Sequence, residues 1–152
     1  MLAALSLCMA AGALMVSLPA TQFTLRWQHS IEKIAWEEDY VVAGPWLALT
    51  VARIRGSGAG MEPPGDAWLE HGVWHYRLAD PWRKNVVLAR SPYVRDYDLC
   101  VAGRCRPLHE FVPVSAGATT LSACAASPLS PASDALPAQP FTTSGAERGP
   151  SR

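Results

Sequence analysis

Two polar residues sit on strand faces that are otherwise apolar, and they are the first place to look for chemistry. In the run from Phe23 to His29, alternation puts Phe23, Leu25, Trp27 and His29 on one side of an extended chain. In the next run Trp36, Glu38, Tyr40 and Val42 share a side. A hairpin closed around Glu32-Lys33-Ile34-Ala35 sets His29 opposite Glu38 and Trp27 opposite Tyr40, all on one face. A carboxylate beside an imidazole raises the imidazole pKa and selects one tautomer, as a proton-handling or ligand-binding site requires. The same pair also serves as a structural clasp at a sheet edge, and the spacing leaves both readings open. Ser30 follows His29 directly, and neighbours on a strand point to opposite faces, so that imidazole cannot activate its hydroxyl. Glu32 and Lys33 fall in the link, where charge is ordinarily solvated.

Gly56-Ser-Gly-Ala-Gly60 lacks the G-x-G-x-x-G spacing of a dinucleotide site and the strand-to-helix context that goes with it. Its backbone N–H groups could form an anion-binding nest with Arg53 or Arg55 nearby, or the glycines could mark a bulge where side chains would clash. The binding candidates are thus His29, Ser30, Glu38, Tyr40, Arg53, Gly58 and Gly60. No nucleophile, base and polarising group assemble into a catalytic constellation, and no cofactor is implied.

Cys100-Val-Ala-Gly-Arg-Cys105 reads as a tight hairpin. With Ala102-Gly103 as a two-residue turn, Val101 faces Arg104, and Cys100 faces Cys105 at a non-hydrogen-bonded pair where side chains approach closely. A cross-strand disulfide is expected if the protein is exported. Zinc is not expected, because the two thiols lack convincing partners. His71 and His75 have helical spacing, but Val73-Trp74-His75-Tyr76 alternates as a strand with His75 outward, so no metal site is expected there. Cys124 has no role assigned by the sequence.

The elements that must position these residues are short strands. Turn signals punctuate the chain at Gly44-Pro45, Pro63-Pro64-Gly65, His71-Gly72, Asp80-Pro81, Ser91-Pro92 and Ala102-Gly103, and no helical period is sustained between Thr21 and Pro113. The pattern predicts strands at 22–30, 36–43, 46–55, 67–71, 73–78, 85–90, 96–101 and 104–109. Together they make an all-β fold, a single small antiparallel sandwich or partly open barrel of about seven or eight short strands. His71-Gly72 should form a hairpin tip. The Ala/Leu-rich segment 1–20 reads as a signal peptide or N-terminal anchor, the all-β domain as 21–113, and 114–152 as a disordered Ala/Ser/Pro-rich tail. All six tryptophans lie between Trp27 and Trp82, which places the core there. The formal net charge of zero, with 13 basic and 13 acidic residues, removes the basic face that general nucleic-acid binding needs.

The combination of His29-Ser-Ile-Glu-Lys33 at a strand end, Trp36-Glu-Glu-Asp-Tyr40 and Gly58-Ala-Gly60 resembles the bacterial family catalogued as domain of unknown function 1850, over about Phe23 to Leu108. The resemblance implies a short exported or membrane-tethered protein with no established chemistry. It also implies association with tripartite ATP-independent periplasmic (TRAP) transporters of the branch with TAXI-type solute receptors. The expected function is a non-enzymatic accessory or interaction module in the periplasm, with TRAP transporter subunits as partners. The alternative is a small ligand-binding domain using the His29/Glu38 pair and the Gly56–Gly60 loop.

Overall fold

The computed structural model describes residues 4–28, 33–55 and 64–125. Twelve strands follow in chain order: β1 Leu5–Ala11, β2 Leu14–Leu18, β3 Gln22–Gln28, β4 Ala35–Ala43, β5 Trp46–Arg55, β6 Trp68–Glu70, β7 Val73–Tyr76, β8 Trp82–Arg83, β9 Asn85–Leu88, β10 Asp98–Val101, β11 Arg104–Pro107 and β12 Thr119–Ala125. Two short 3-10 turns, Leu108–Glu110 and Val114–Ala116, lie between β11 and β12. The pairings are antiparallel and form two sheets. The larger runs β11-β10-β3-β4-β5-β7-β6, with β8 also paired to β5, and the smaller runs β2-β1-β12-β9. The all-β expectation therefore holds, and of its two forms the sandwich is the one adopted. Among the described residues, no helix is long and apolar enough to cross a membrane.

Period-two alternation explains how the sheets meet. Phe23, Leu25, Tyr40, Val42, Leu47, Leu49 and Leu99 project from one face of the large sheet. Leu7, Met9, Ala11, Leu88 and Leu121 project from the small one, and the two sets form a single buried cluster closed by Leu108 and Val112. The eight strands expected from sequence are all found, most trimmed by a residue or two at their ends. Both tight hairpins are present. Left-handed backbone at His71-Gly72 (φ 50° and 76°) and Ala102-Gly103 (φ 51° and 77°) gives the paired positive φ values of a type I′ turn, whose twist suits flanking strands. The second turn fixes the register, so that Cys100 pairs with Cys105 and Val101 with Arg104 as expected.

Three expectations are corrected. The first is the extent of the domain, which reaches beyond 21–113 on both sides. Leu5–Leu18 was expected as leader or anchor, but it folds as the β1–β2 hairpin, and Leu7 and Met9 are 0% exposed. The physical reason is that β1 also alternates once its Ala/Leu background is set aside: Leu5, Leu7, Met9 and Ala11 face the core. The second is the tail expected from 114, whose first part supplies β12. This strand is one of the two interior strands of the small sheet, paired to β1 on one side and β9 on the other, with Thr119 and Leu121 fully buried. Residues 126–152 lie outside those described.

The third correction concerns the β3–β4 register. Glu38 pairs with Leu25, Trp27 with Trp36 and Phe23 with Tyr40, so Glu38 meets the core face four residues before the expected partner. Cross-strand aromatic pairing accounts for the choice. Trp27 stacks on Trp36 at 5.8 Å between ring centroids and Phe23 on Tyr40 at 5.1 Å, each pair adding ~0.5–1.5 kcal/mol beyond its burial. A shift by an even number of residues keeps every side chain on its expected face, so the facial assignment survives while the partners change.

Candidate functional site

β4 carries the chemistry on both of its faces. On the core face Glu38 and Tyr40 are neighbours two residues apart, and the Tyr40 hydroxyl donates to Glu38 Oε2 at 2.5 Å. Tyr40 is held by its stack on Phe23. Burial pushes the Glu38 carboxyl above its ordinary pKa. The hydrogen bond from Tyr40 and the charge of Arg83 pull the other way without cancelling that effect. Arg83 belongs to the two-residue strand β8 and pairs with Leu47, which places it toward the interior. Tyr40 is itself raised, by burial and then by Glu38. Tyr76 and Tyr97 are raised by burial first, with Glu38 among the further causes. The result is one partly buried carboxyl with a raised pKa, hydrogen-bonded to Tyr40, whose charge also reaches Tyr76 and Tyr97. Trp36, two residues back on the same face, has a buried indole Nε1 with no partner among the described residues.

The outer face of the same strand has the opposite character. Arg53 on β5 donates from Nε to Glu37 Oε2 at 2.9 Å and grips Asp39 with both of its terminal nitrogens. Thr24 donates to Asp39 Oδ1 at 2.6 Å. Burial alone would raise the Asp39 pKa, but the hydrogen bonds from Arg53 and Thr24 and the Arg53 charge bring it below the ordinary carboxylate value. Fork-to-carboxylate pairing of this kind fixes geometry as well as charge. His75 lies on this side as well, paired with Arg53 across the strands and stacked on Trp68 at 5.3 Å. Its outward placement agrees with the strand reading.

The candidate residues therefore divide. Glu38 and Tyr40 are brought together, as a hydrogen-bonded pair. Arg53 is separated from them by the thickness of the sheet, with its guanidinium committed to Asp39 and Glu37, so it is not the arginine of a Glu38 site. Arg83 occupies that position, and nothing local in Pro81-Trp-Arg-Lys84 marks it. His29, Ser30, Gly58 and Gly60 lie outside the described residues, as does any His29–Glu38 contact. The Cys100–Cys105 disulfide is formed, and Cys124, without a role in the sequence reading, is bonded to Cys8 across a sequence separation of 116. Among the described residues no group of three His, Cys, Asp or Glu side chains is arranged to hold a metal.

Two clefts open at one end of the sandwich. β3 ends at Gln28, opposite the start of β4 at Ala35, and β5 ends at Arg55, beyond the Trp36–Ile54 pair. A cleft of about 440 Å³ opens beside this end, lined by Trp27, Gln28, Lys33, Ala89, Tyr93, Val94, Arg95 and Tyr97. A second cleft of about 240 Å³ on the outer face is charge-balanced, with Arg26, Arg55 and Arg95 against Glu37, Asp96 and Asp98. The loop between β9 and β10 forms a wall of both. A bidentate pair holds the loop closed, Arg90 Nε to Asp96 Oδ1 at 2.9 Å and Nη2 to Oδ2 at 2.7 Å, and Arg90 Nη1 also donates to Thr119 at 3.1 Å. Sequence reasoning assigned Lys33 to a solvated link and gave Arg95 and Tyr97 no role. Their convergence depends on pairings between distant strands, which leave no local pattern.

No curated protein and no solved structure matches this chain. A family model described as a domain of unknown function (DUF1850) matches residues 23–108, which run from the second residue of β3 to the 3-10 turn after β11. The match covers more than half of the chain, including the Glu38–Tyr40 pair, both clefts and the Cys100–Cys105 hairpin, and the protein belongs to that family.

Proposed function

We propose that this protein is a non-enzymatic accessory module of an exported solute-transport system, the periplasmic TRAP type with TAXI-type receptors, and that it engages its partner through the open end of the sandwich. The observation that carries the reading is the pair of clefts at the end of the large sheet where β3 and β5 terminate. β3 ends at Gln28 and β5 at Arg55, beside the 440 Å³ and 240 Å³ clefts. Two clefts at one end of a scaffold stapled by disulfides fit a contact surface better than a second structural core. The two disulfides support residence in an oxidising compartment.

The test is affinity capture from the native envelope using the full chain with a C-terminal tag, followed by cross-linking from a photoreactive residue at position 95. Co-purification of TRAP receptor or membrane subunits, cross-linked at that position, is the expected result. A folded, disulfide-bonded protein that brings down no transport component would sink the reading. A second reading, a small ligand-binding domain, is favoured by one observation: a partly buried carboxyl with a raised pKa, hydrogen-bonded to Tyr40, is a costly feature that a bound group could satisfy. In that case a ligand would protect Glu38 from carbodiimide modification.

A further inference from the structure

We propose that the cleft of about 440 Å³ between β3 and the β9–β10 loop binds a small organic carboxylate with an apolar or aromatic body. The floor is aromatic: Trp27 and Tyr97 lie 5.9 Å apart between centroids, with planes tilted by 51°. Ala89, Val94 and Tyr93 complete the apolar lining, and Tyr93 is 93% exposed. Tyr93 is the most exposed aromatic among the described residues, an apolar surface in want of a neighbour.

The charged members of the lining are both cationic. Lys33 and Arg95 border the cleft, and among the described residues no carboxylate lines it. Among the described residues Arg95 has one weak commitment, to Asp98 at 3.3 Å, and its side chain is 69% exposed, so it can turn to an incoming anion at little cost. Two cations above an aromatic floor disfavour an ammonium ligand by like-charge repulsion, although aromatic rings alone would welcome one. They favour a carboxylate, which a guanidinium can hold with two hydrogen bonds. The neighbouring 240 Å³ cleft shares Arg95 but sets three carboxylates against its three arginines, so the anion preference belongs to the larger cleft.

The wall is also held in place before any ligand arrives. The Arg90 side chain is 0% exposed and its pairing with Asp96 pins the base of the loop, while Ser91 Oγ accepts from the Tyr93 N–H at 3.2 Å. A loop fixed in this way loses little freedom on binding. The inference goes beyond the accessory-module reading and stands or falls without it, since it needs no transporter subunit.

The experiment is a titration of the full-length oxidised protein with benzoate, benzylamine and acetate, read by calorimetry and by the indole N–H resonances in a proton–nitrogen correlation spectrum. Benzoate is expected to saturate and to shift one indole resonance, which Trp27→Phe identifies by its loss. Acetate should bind more weakly and benzylamine should not saturate. Arg95→Ala should weaken benzoate by about tenfold or more, as loss of a charge-assisted bidentate contact does, and Arg95→Lys should recover part of it. Arg95 is exposed, so both variants should fold, and unchanged spectra elsewhere verify this. The proposal is overturned if benzylamine binds as tightly as benzoate, if Arg95→Ala leaves benzoate affinity unchanged, or if no probe saturates. Binding to phosphatidylglycerol vesicles without any response to benzoate would also overturn it, in favour of a membrane surface.

Discussion

The Cys8–Cys124 disulfide should be the largest single contribution to stability that one chemical step can remove. It joins β1 to β12, closing nearly all of the described chain into a ring with a sequence separation of 116. In the chain-entropy account, a loop of that length restrains the unfolded state by about 5 kcal/mol, whereas the separation of 5 at Cys100–Cys105 corresponds to about 2 kcal/mol. The short loop is nested inside the long one and subtracts a negligible part of its length, so the two effects should add. Domains of this size are stable by ~5–15 kcal/mol, so loss of the long clasp removes a large share. The double variant Cys8→Ala/Cys124→Ala should melt roughly 15–25 °C below wild type, and Cys100→Ala/Cys105→Ala roughly 6–10 °C below. Calorimetric melting of oxidised protein, with thiol counts before each scan, measures both. Equal shifts for the two variants, or a larger one for the short hairpin, would refute the loop-length argument. Two free thiols at Cys8 and Cys124 in oxidised wild type would refute the pairing itself.

Two further predictions follow from packing and from protonation. Leu7→Ala should destabilise the protein by about 2–5 kcal/mol in urea melts, because a side chain with 0% exposure leaves a cavity in the core; a leader segment outside the fold would give no change. For Glu38 the folded pKa is raised, chiefly by burial. The native state therefore holds the proton more tightly than the unfolded chain, and this contribution to stability is full below the unfolded pKa and is lost as pH rises through the folded one. Glu38→Gln, which keeps an acceptor for Tyr40, should flatten that part of the pH–stability curve and match or exceed wild-type stability at pH 7. Glu38→Ala should instead cost on the order of 1–3 kcal/mol by stranding the Tyr40 hydroxyl. A pH–stability profile unchanged by Glu38→Gln would mean that the carboxyl is not the group responsible.

The amino-acid sequence alone determined the class of this fold, its strand faces and its tight turns. Strict alternation from Phe23 to Val42 specifies which side chains face inward whatever the register, and Ala102-Gly103 sets the Cys100–Cys105 pairing because a two-residue turn leaves one choice of partner. These are local properties, written in neighbouring residues. Tertiary structure decided what depends on distant ones. The Leu5–Ala11 segment resembles a leader in composition, and only the apolar face of the large sheet and the β12 strand at 119–125 give it a place as β1. Cys124 acquires a partner from the far end of the chain, and Arg83 rather than Arg53 comes to Glu38 because adjacent β5 residues face opposite sides of the sheet. The β3–β4 register turned on two aromatic stacks, an energy of pairing that a single strand cannot show. The cleft beside Trp27 gathers residues from β3, the β3–β4 link and the β9–β10 loop. It exists only once a buried Arg90–Asp96 pair has closed that loop against β12, and pairing across such a separation leaves no trace in the local order of residues.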